Sequence, residues 1–138
     1  MASTDIRDSF IEKCVTVFDF LTKKYQFFVP EIVRDESIVI VRYRKGDIAI
    51  EFCLDVREHK CDAYVVRLIN GEPKRFPMVE KNGVINRIGL VTLISKQKRP
   101  TKKYFEQADL SSLAELGAYK ELLVHEGKEI LEDSEFQV

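Results

Sequence analysis

The chain has few of the residues from which catalytic and metal centres are built. Its 138 residues include two histidines and three cysteines, and the cysteines lie at unrelated spacings. Such a set does not form a disulfide framework. The sequence also lacks a glycine-rich phosphate loop and the H-E-x-x-H and G-x-S-x-G motifs. We therefore predict that the protein is not an enzyme and has no catalytic residue, no cofactor and no bound metal.

An excess of charge and a long apolar run are missing as well. Lysine and arginine number 22 and aspartate and glutamate 23, so no overall field favours nucleic acid or an anionic membrane. The apolar runs are shorter than a bilayer-spanning helix requires, and the N-terminal sequence MASTDIRDSF lacks the layout of a signal peptide. We expect a cytoplasmic protein without a membrane partner, folded as a single domain over residues 1–138.

What the sequence does contain is a strong signal for β-structure. In Asp47–Val56 every second residue is apolar, which predicts a strand with one buried face. The preceding run, Ser37–Arg44, is rich in β-branched residues, which suit a pleated surface. Gly46 tolerates the positive φ that tight hairpin loops need. We therefore predict an antiparallel hairpin whose two-residue loop is Lys45-Gly46.

The position of that loop fixes which residues face each other. Each core-facing residue of one strand then meets an apolar residue of the other strand. The predicted pairs are Arg44 with Asp47, Tyr43 with Ile48, Val41 with Ile50 and Val39 with Phe52. A third strand, about Cys61–Ile69, follows a polar turn at residues 57–60. Its predicted pairs with the second strand are Phe52 with Tyr64, Ile50 with Val66 and Ile48 with Leu68.

The opposite face of this sheet mixes apolar and charged side chains. In the predicted register its members are Ile38, Ile40, Cys53, Ala63, Val65 and Ile69 among Arg42, Arg44, Glu51 and Arg67. Soluble proteins rarely leave so apolar a face in water. We expect it to be covered, by helices of this chain in preference to another molecule.

Helices are predicted on both sides of the meander. The apolar residues of Thr4–Tyr25 recur at helical spacing, with Thr4 as a plausible N-cap. Leu113–Leu131 shows the same spacing, and Gly127 is a point at which that helix can break. Between helix and meander, Gln26–Arg34 contains Pro30 and predicts an edge strand or an extended lead-in. Residues Val84–Ser95 fit either a helix or a strand, and we favour a helix because basic residues and Pro100 follow it.

The fold class is therefore α+β, with an N-terminal helix, an antiparallel meander of about four strands, and C-terminal helices packed on the sheet.

Three residues near the second hairpin turn could ligate a metal ion. His59 lies in that turn, and the predicted register places Cys53 and Cys61 diagonally on one face. The C-x-x-C spacing of structural zinc sites is absent, and no fourth ligand is in view. Buried cysteines that act as small hydrophobic residues are the favoured interpretation.

Two segments suggest contact with another macromolecule. Residues 96–104 carry the basic run KQKRPTKK followed by Tyr104, a composition that suits phosphate contacts and base stacking. A helix end running into an exposed loop explains the same residues and is the interpretation we favour. Asn70–Gly83 is a long, irregular loop in which Arg75 and Phe76 could dock a partner or fix the loop to the sheet. The candidate partner-binding residues are Arg42, Arg44, Arg67, Arg75, Phe76, Lys98, Arg99 and Tyr104.

The layout of the chain resembles a group of small, uncharacterised bacterial α+β proteins. Their N-terminal helix ends in an aromatic segment, here Tyr25-Gln26-Phe27-Phe28, and an antiparallel meander follows. Their last helix ends in L-L-x-x-x-G-x-x-I-L-x-D-x-x-x-F, matched here by Leu122, Leu123, Gly127, Ile130, Leu131, Asp133 and, one position early, Phe136. Some of these proteins are immunity-like, neutralising a partner toxin. The resemblance implies a protein partner and no catalytic residues.

These observations predict a non-catalytic protein-binding module, with an immunity-like role implied by the resemblance. The alternatives from other classes are a nucleic-acid-binding protein that uses residues 96–104 and a small-ligand binding protein. A homodimer through the open sheet face or a sheet edge is a further possibility.

Overall fold

The structure, a computed structural model, describes residues 5–73, 81, 85–105 and 112–132, with the backbone alone for 112 and 113. The fold is α+β, and the predicted order of an N-terminal helix, an antiparallel meander and C-terminal helices is confirmed. The helices are α1 (Ile6–Val17), α2 (Asp19–Tyr25), α3 (Leu90–Lys96), α4 (Ser112–Glu126) and α5 (Lys128–Glu132). The strands are β1 (Glu31–Arg34), β2 (Ile38–Lys45), β3 (Ile48–Asp55), β4 (Lys60–Ile69), β5 (Glu72–Pro73) and β6 (Arg87–Gly89).

The N-terminal segment forms two helices where the sequence predicted one. Asp5 is the N-cap of α1, its carboxylate accepting from the backbone N–H of Arg7 over 2.8 Å. The predicted cap, Thr4, lies outside the described residues. The break falls at Phe18, which leaves helical geometry and stacks its ring on Phe52 with 3.7 Å between centroids. Both Phe18 and Leu21 are thereby buried against the sheet.

The strands form one antiparallel sheet in the order β1-β2-β3-β4-β5, and β6 pairs with β4 beside β5. The predicted strand after Pro30 is confirmed as β1, which pairs with β2 alone among the described strands. It is therefore an edge strand, and its position follows from a proline that cannot donate to a ladder.

The hairpin between β2 and β3 is confirmed, but its predicted register is wrong by two residues. The loop is Gly46-Asp47, with Gly46 at a φ of 60°. The observed pairs are Lys45 with Ile48, Tyr43 with Ile50, Val41 with Phe52 and Val39 with Leu54. Because side chains alternate with a period of two, this shift leaves every residue on its predicted face.

The register between β3 and β4 is wrong by one residue, which has a larger effect. Phe52 faces Ala63, Ile50 faces Val65 and Ile48 faces Arg67. Cys61, Ala63 and Val65 therefore lie in the main core, where the sequence had predicted Tyr64, Val66 and Leu68. A shift of one residue moves every side chain of β4 to the other face of the sheet.

The described helices pack on one face of the sheet. The main core joins buried residues of all five helices to the inward residues of β2, β3 and β4. A second, smaller cluster lies on the opposite face and consists of Ala49, Val66 and Leu68, with Tyr64 packed against it. No residue of a described helix belongs to this second cluster, so the expected helical cover of that face is not found in the part of the chain that the structure describes.

The C-terminal part confirms one predicted helix and corrects another. The predicted break at Gly127 separates α4 from α5. A Cβ on Gly127 would lie 2.9 Å from the carbonyl oxygen of Leu123, so only glycine fits this close approach. The segment Val84–Ser95 was predicted to be one helix, whereas residues 87–89 form β6 and the helix α3 begins only at Leu90. The stretch therefore contains a short strand followed by a helix.

A single lysine joins the hairpin to the C-terminal helix. Lys45 Nζ donates to the carbonyl oxygen of Leu131 over 2.6 Å and lies 5.2 Å from the centroid of the Phe27 ring. The lysine thus satisfies one of the carbonyl groups that a helix end leaves without a partner.

Candidate functional site

Among the described residues, the two most exposed large apolar side chains lie just before the edge strand, and two further exposed ones lie within it. We call residues Phe28–Arg34 the edge segment. Phe28 and Val29 are 70% and 75% exposed, and Ile32 and Val33 are 42% and 38% exposed. All four residues of β1 are solvent-exposed. Single exposed apolar residues are ordinary, but four within six positions of one segment mark a candidate interaction surface.

The backbone of the edge segment presents an unpaired row of hydrogen-bonding groups. Within the β1–β2 register, Asp35 N–H donates to the carbonyl of Ile38 over 3.0 Å. Hydrogen-bonded pairs of an antiparallel ladder recur at every second residue, so Val33 and Glu31 also turn their backbone groups toward β2. Ile32 and Arg34 therefore point their N–H and C=O groups away from the sheet.

The charged residues of this segment are already engaged within the fold. Glu31 accepts from Arg42 Nη1 over 2.9 Å and from Arg44 Nη2 over 2.9 Å. Burial alone would raise the pKa of Glu31, but the hydrogen bonds from the two arginines outweigh burial and lower that pKa. Arg34 forms an ion pair with Asp8 on α1. The side chains of the segment that remain without such partners are therefore the apolar ones.

A charged row crosses the second face of the sheet behind this edge. Glu51 is fully buried, accepts from Arg42 Nε over 2.6 Å and forms a second ion pair with Arg87. Arg87 also lies over the ring of Tyr64, 5.4 Å from its centroid. Because two arginines surround one buried carboxylate, the ionised form of Glu51 is satisfied by direct contacts. This arrangement fixes strands to one another, and its members have little surface to offer a ligand.

Of the predicted partner-binding residues, Arg42 and Arg44 lie on this face. Arg67 was predicted to share it, but the one-residue register error in β4 puts Arg67 on the face that carries the helices, opposite Ile48. The structure brings Arg42 and Arg44 together at Glu31, and Arg44 also donates to the carbonyl of Gly71 over 2.5 Å. Arg67 lies apart from them and donates to the side chain of the buried Asn86. Their described contacts are structural, and a role in partner binding remains a prediction.

The basic segment places Arg99 and Tyr104 against α4. Arg99 Nη2 lies 2.9 Å from Glu126 Oε1, and the Tyr104 hydroxyl donates to the same carboxylate. The hydrogen bond from Tyr104 is the main cause of a lowered Glu126 pKa, while burial raises the pKa of Tyr104 to about 12. The Tyr104 ring stacks on His125 at 6.1 Å between centroids. Lys98 is exposed with a φ of 60°, and Arg99 is also exposed despite its ion pair, whereas Tyr104 is half-buried.

The candidate metal ligands are not brought together. His59 does lie in the turn before β4, but Cys61 is in the main core and Cys53 is on the opposite face of the sheet. The prediction that both cysteines share a face is wrong because of the one-residue register error. Burial raises the pKa of the Cys53 thiol to about 12 and raises the pKa of Cys14 and Cys61 further. No cluster of three potential metal ligands occurs among the described residues.

The residues of the edge segment were not among the partner-binding residues predicted from the sequence. Arg75 and Phe76 lie outside the described residues, so their predicted role has no structural counterpart here. Phe28, Val29, Ile32 and Val33 were not among the candidates. The signal that could have found them was present, since an apolar run interrupted by Pro30 predicts a strand that pairs on one side only.

Comparisons with protein-family models, curated proteins and solved structures give no match to this chain. Over the described ranges, the helices are too short or too polar to cross a bilayer.

Proposed function

We propose that the chain is a non-catalytic protein-binding module and that the edge segment is its docking surface. The observation that carries the proposal is the exposure of Phe28, Val29, Ile32 and Val33 beside an unpaired row of backbone groups. Protein interfaces are enriched in aromatic residues and depleted in charge at their centres. The edge segment has this character, because its charged side chains are already paired within the fold.

The contacts of the basic segment weigh in favour of this function over nucleic-acid binding. Base stacking would need the Tyr104 ring, which stacks on His125, and phosphate binding would need Arg99, which pairs with Glu126. Lys98 and its neighbouring lysines remain exposed. The resemblance to immunity-like proteins makes a protein toxin the first partner class to test, with a cytoplasmic location as the accompanying prediction.

Site-specific photocrosslinking in the native host tests this proposal. A photoreactive phenylalanine analogue replaces Phe28 in one variant and Val124 in a matched control, because Val124 is 41% exposed on α4, outside the edge segment. We expect one defined protein to be captured from position 28 and not from position 124.

The captured protein is then purified and its affinity measured by calorimetry. Phe28→Ser combined with Val29→Ser is expected to weaken binding at least tenfold, because the partner loses its apolar contact area. Val124→Ser serves as the control and should leave the affinity unchanged. Equal affinities for the double variant and the wild type would overturn the edge segment as the docking surface.

A further inference from the structure

We infer that the edge segment binds its partner by strand addition, with an extended segment of the partner chain pairing along the outer edge of β1. This inference rests on the proposed function and specifies the partner's chemistry. An unpaired strand edge is a template for another strand, and main-chain hydrogen bonds then supply affinity while alternate side chains supply specificity.

Two independent contacts define the outward direction of the backbone. The bond from Asp35 N–H to Ile38 O turns the odd-numbered residues of β1 toward β2. The bond from Val56 N–H to Ser37 O belongs to the β2–β3 register. It shows that the odd-numbered residues of β2 direct their backbone groups toward β3. The even-numbered residues of β2 therefore direct theirs toward β1. Both contacts leave the N–H and C=O groups of Ile32 and Arg34 facing outward.

Proline sets the limit of this edge. The next outward position toward the N-terminus is Pro30, which offers a carbonyl group and no N–H. The incoming strand therefore meets two donors, on Ile32 and Arg34, and acceptors on those two residues and Pro30. The recognised segment is short, about five residues, which matches the length of Pro30–Arg34 in extended geometry.

The side chains of β1 define what the partner segment must contain. Ile32 lies opposite Val41 on the face that carries the helices, and Val33 lies opposite Ile40 on the other face. Glu31 and Arg34, the charged ends of the strand, are paired with residues of this chain. An added strand thus finds apolar neighbours on both of its faces, and we expect aliphatic or aromatic residues at two consecutive positions of the partner.

A second copy of this chain fits the edge less well. In an antiparallel dimer with a two-fold axis at Ile32, the Ile32 residues of the two copies lie opposite each other. Val29 of one copy then lies opposite Asp35 of the other, and Phe28 lies opposite Glu36. The two most exposed apolar side chains would then face carboxylates. An extended segment of a different chain is free to carry apolar residues at those positions and avoids this penalty.

A matched pair of variants separates backbone pairing from side-chain contact. Ile32→Pro removes the outward N–H and leaves the bonds to β2 intact, while Ile32→Val keeps the N–H and a β-branched side chain. The probe is a phage-displayed library of random dodecapeptides, selected on the wild-type protein. We expect enriched peptides with adjacent β-branched or aromatic residues, weakened about tenfold by Ile32→Pro and less than threefold by Ile32→Val.

Folding is monitored in parallel by circular dichroism and urea unfolding. If Ile32→Pro unfolds the protein, an amide-to-ester replacement at residue 32 removes the same N–H with the side chain unchanged. Equal peptide affinity for the ester or proline variant and the wild type overturns strand addition, as does a library that yields no enriched peptide. A wild-type dimer in sedimentation equilibrium that Ile32→Pro abolishes also overturns it, because the occupant is then a second copy.

The two proposals can fail separately. Crosslinking from position 28 with no effect of the Ile32 variants leaves the binding function in place and removes only the mode of binding. Absence of a specific crosslink at position 28 removes the docking surface itself.

Discussion

Arg42 and Glu51 face each other directly across β2 and β3, and Arg42 Nε donates to Glu51 Oε2 over 2.6 Å. The carboxylate is fully buried, and Arg87 approaches it from β6. Three strands therefore meet at one buried charge. A buried ion pair that loses one partner leaves an uncompensated charge, which costs far more than the intact pair contributes.

Replacing Glu51 with glutamine should destabilise the protein by about 3–5 kcal/mol, because Arg87 would lose its ion pair in a buried position and Arg42 would keep only its ion pair with Glu31. Urea unfolding followed by circular dichroism measures this change. The exposed Glu58 provides a matched control, and Glu58→Gln should stay within about 0.5 kcal/mol of the wild type. A loss below about 1 kcal/mol for Glu51→Gln would show that the ion-pair network does not bind the strands together.

Two glycines of α4 and its junction with α5 should respond in opposite directions to alanine. A Cβ at Gly127 would meet Leu123 backbone at 2.9 Å, so Gly127→Ala should cost about 1–3 kcal/mol through overpacking. A Cβ at Gly117 meets nothing within 4 Å, so Gly117→Ala should add about 0.5–1 kcal/mol through helix propensity. Thermal unfolding of both variants gives the comparison, and a shift of the same sign in both would contradict it.

The pH dependence of stability should reveal the ion pair at the start of α1. The hydrogen bond from Arg7 lowers the pKa of Asp5 from 3.8 to about 2. Because the folded-state pKa is the lower one, the stabilisation is complete above the unfolded pKa of about 3.9 and is lost as the pH falls toward 2.

Asp5→Asn isolates this effect, since asparagine is also a good N-cap. We expect the wild type to be more stable than the variant at pH 7 and the difference to shrink to nothing near pH 2. Urea unfolding at a series of pH values measures it. A difference that stays constant from pH 7 to pH 2 would assign the effect to capping and not to charge.

The three cysteines should be unreactive in the folded protein. The thiolate is the nucleophile, and with a pKa of about 12 the Cys53 thiol is roughly one ten-thousandth ionised at pH 8. We expect labelling by an aromatic disulfide reagent to be at least about a hundred times slower in the native protein than in urea. Immediate labelling of any one thiol under native conditions would contradict the burial of all three cysteines.

The sequence predicted element types better than it predicted how they pair. The alternation in β3 and the proline before β1 identified strands and an edge correctly, because both signals are local. The β2–β3 register was wrong by two residues because Lys45-Gly46 and Gly46-Asp47 both place a glycine in the loop. Both loops leave each side chain on the same face of the sheet, so the apolar pattern could not distinguish the two registers.

The register of β4 shows where pattern alone fails. Both of its faces are apolar, with Cys61, Ala63 and Val65 on one and Tyr64, Val66 and Leu68 on the other. Because β3 is also buried on both faces, either register satisfies its neighbours. The same error placed Cys53 and Cys61 on one face and produced the metal hypothesis.

The candidate site was harder to predict for a related reason. Arginines were chosen because charged residues on a sheet face are available, in the sequence, for a partner. In the fold, Arg42 and Arg44 instead form ion pairs with carboxylates on neighbouring strands. Glu31 and Arg44, for example, are 13 residues apart. The apolar edge residues were overlooked because charge was taken as the mark of a binding surface, although Pro30 already indicated a strand that pairs on one side only.

The bond from Lys45 to the carbonyl of Leu131 closes a chain segment of 86 residues. The entropy lost in closing a loop rises with its length, so contacts between distant residues tend to form after local ones. During synthesis the meander is made long before residue 131. The ammonium group of Lys45 therefore remains hydrated until α5 has formed. Attachment of α5 is thus expected to be a late event in the maturation of the chain, after the sheet has formed.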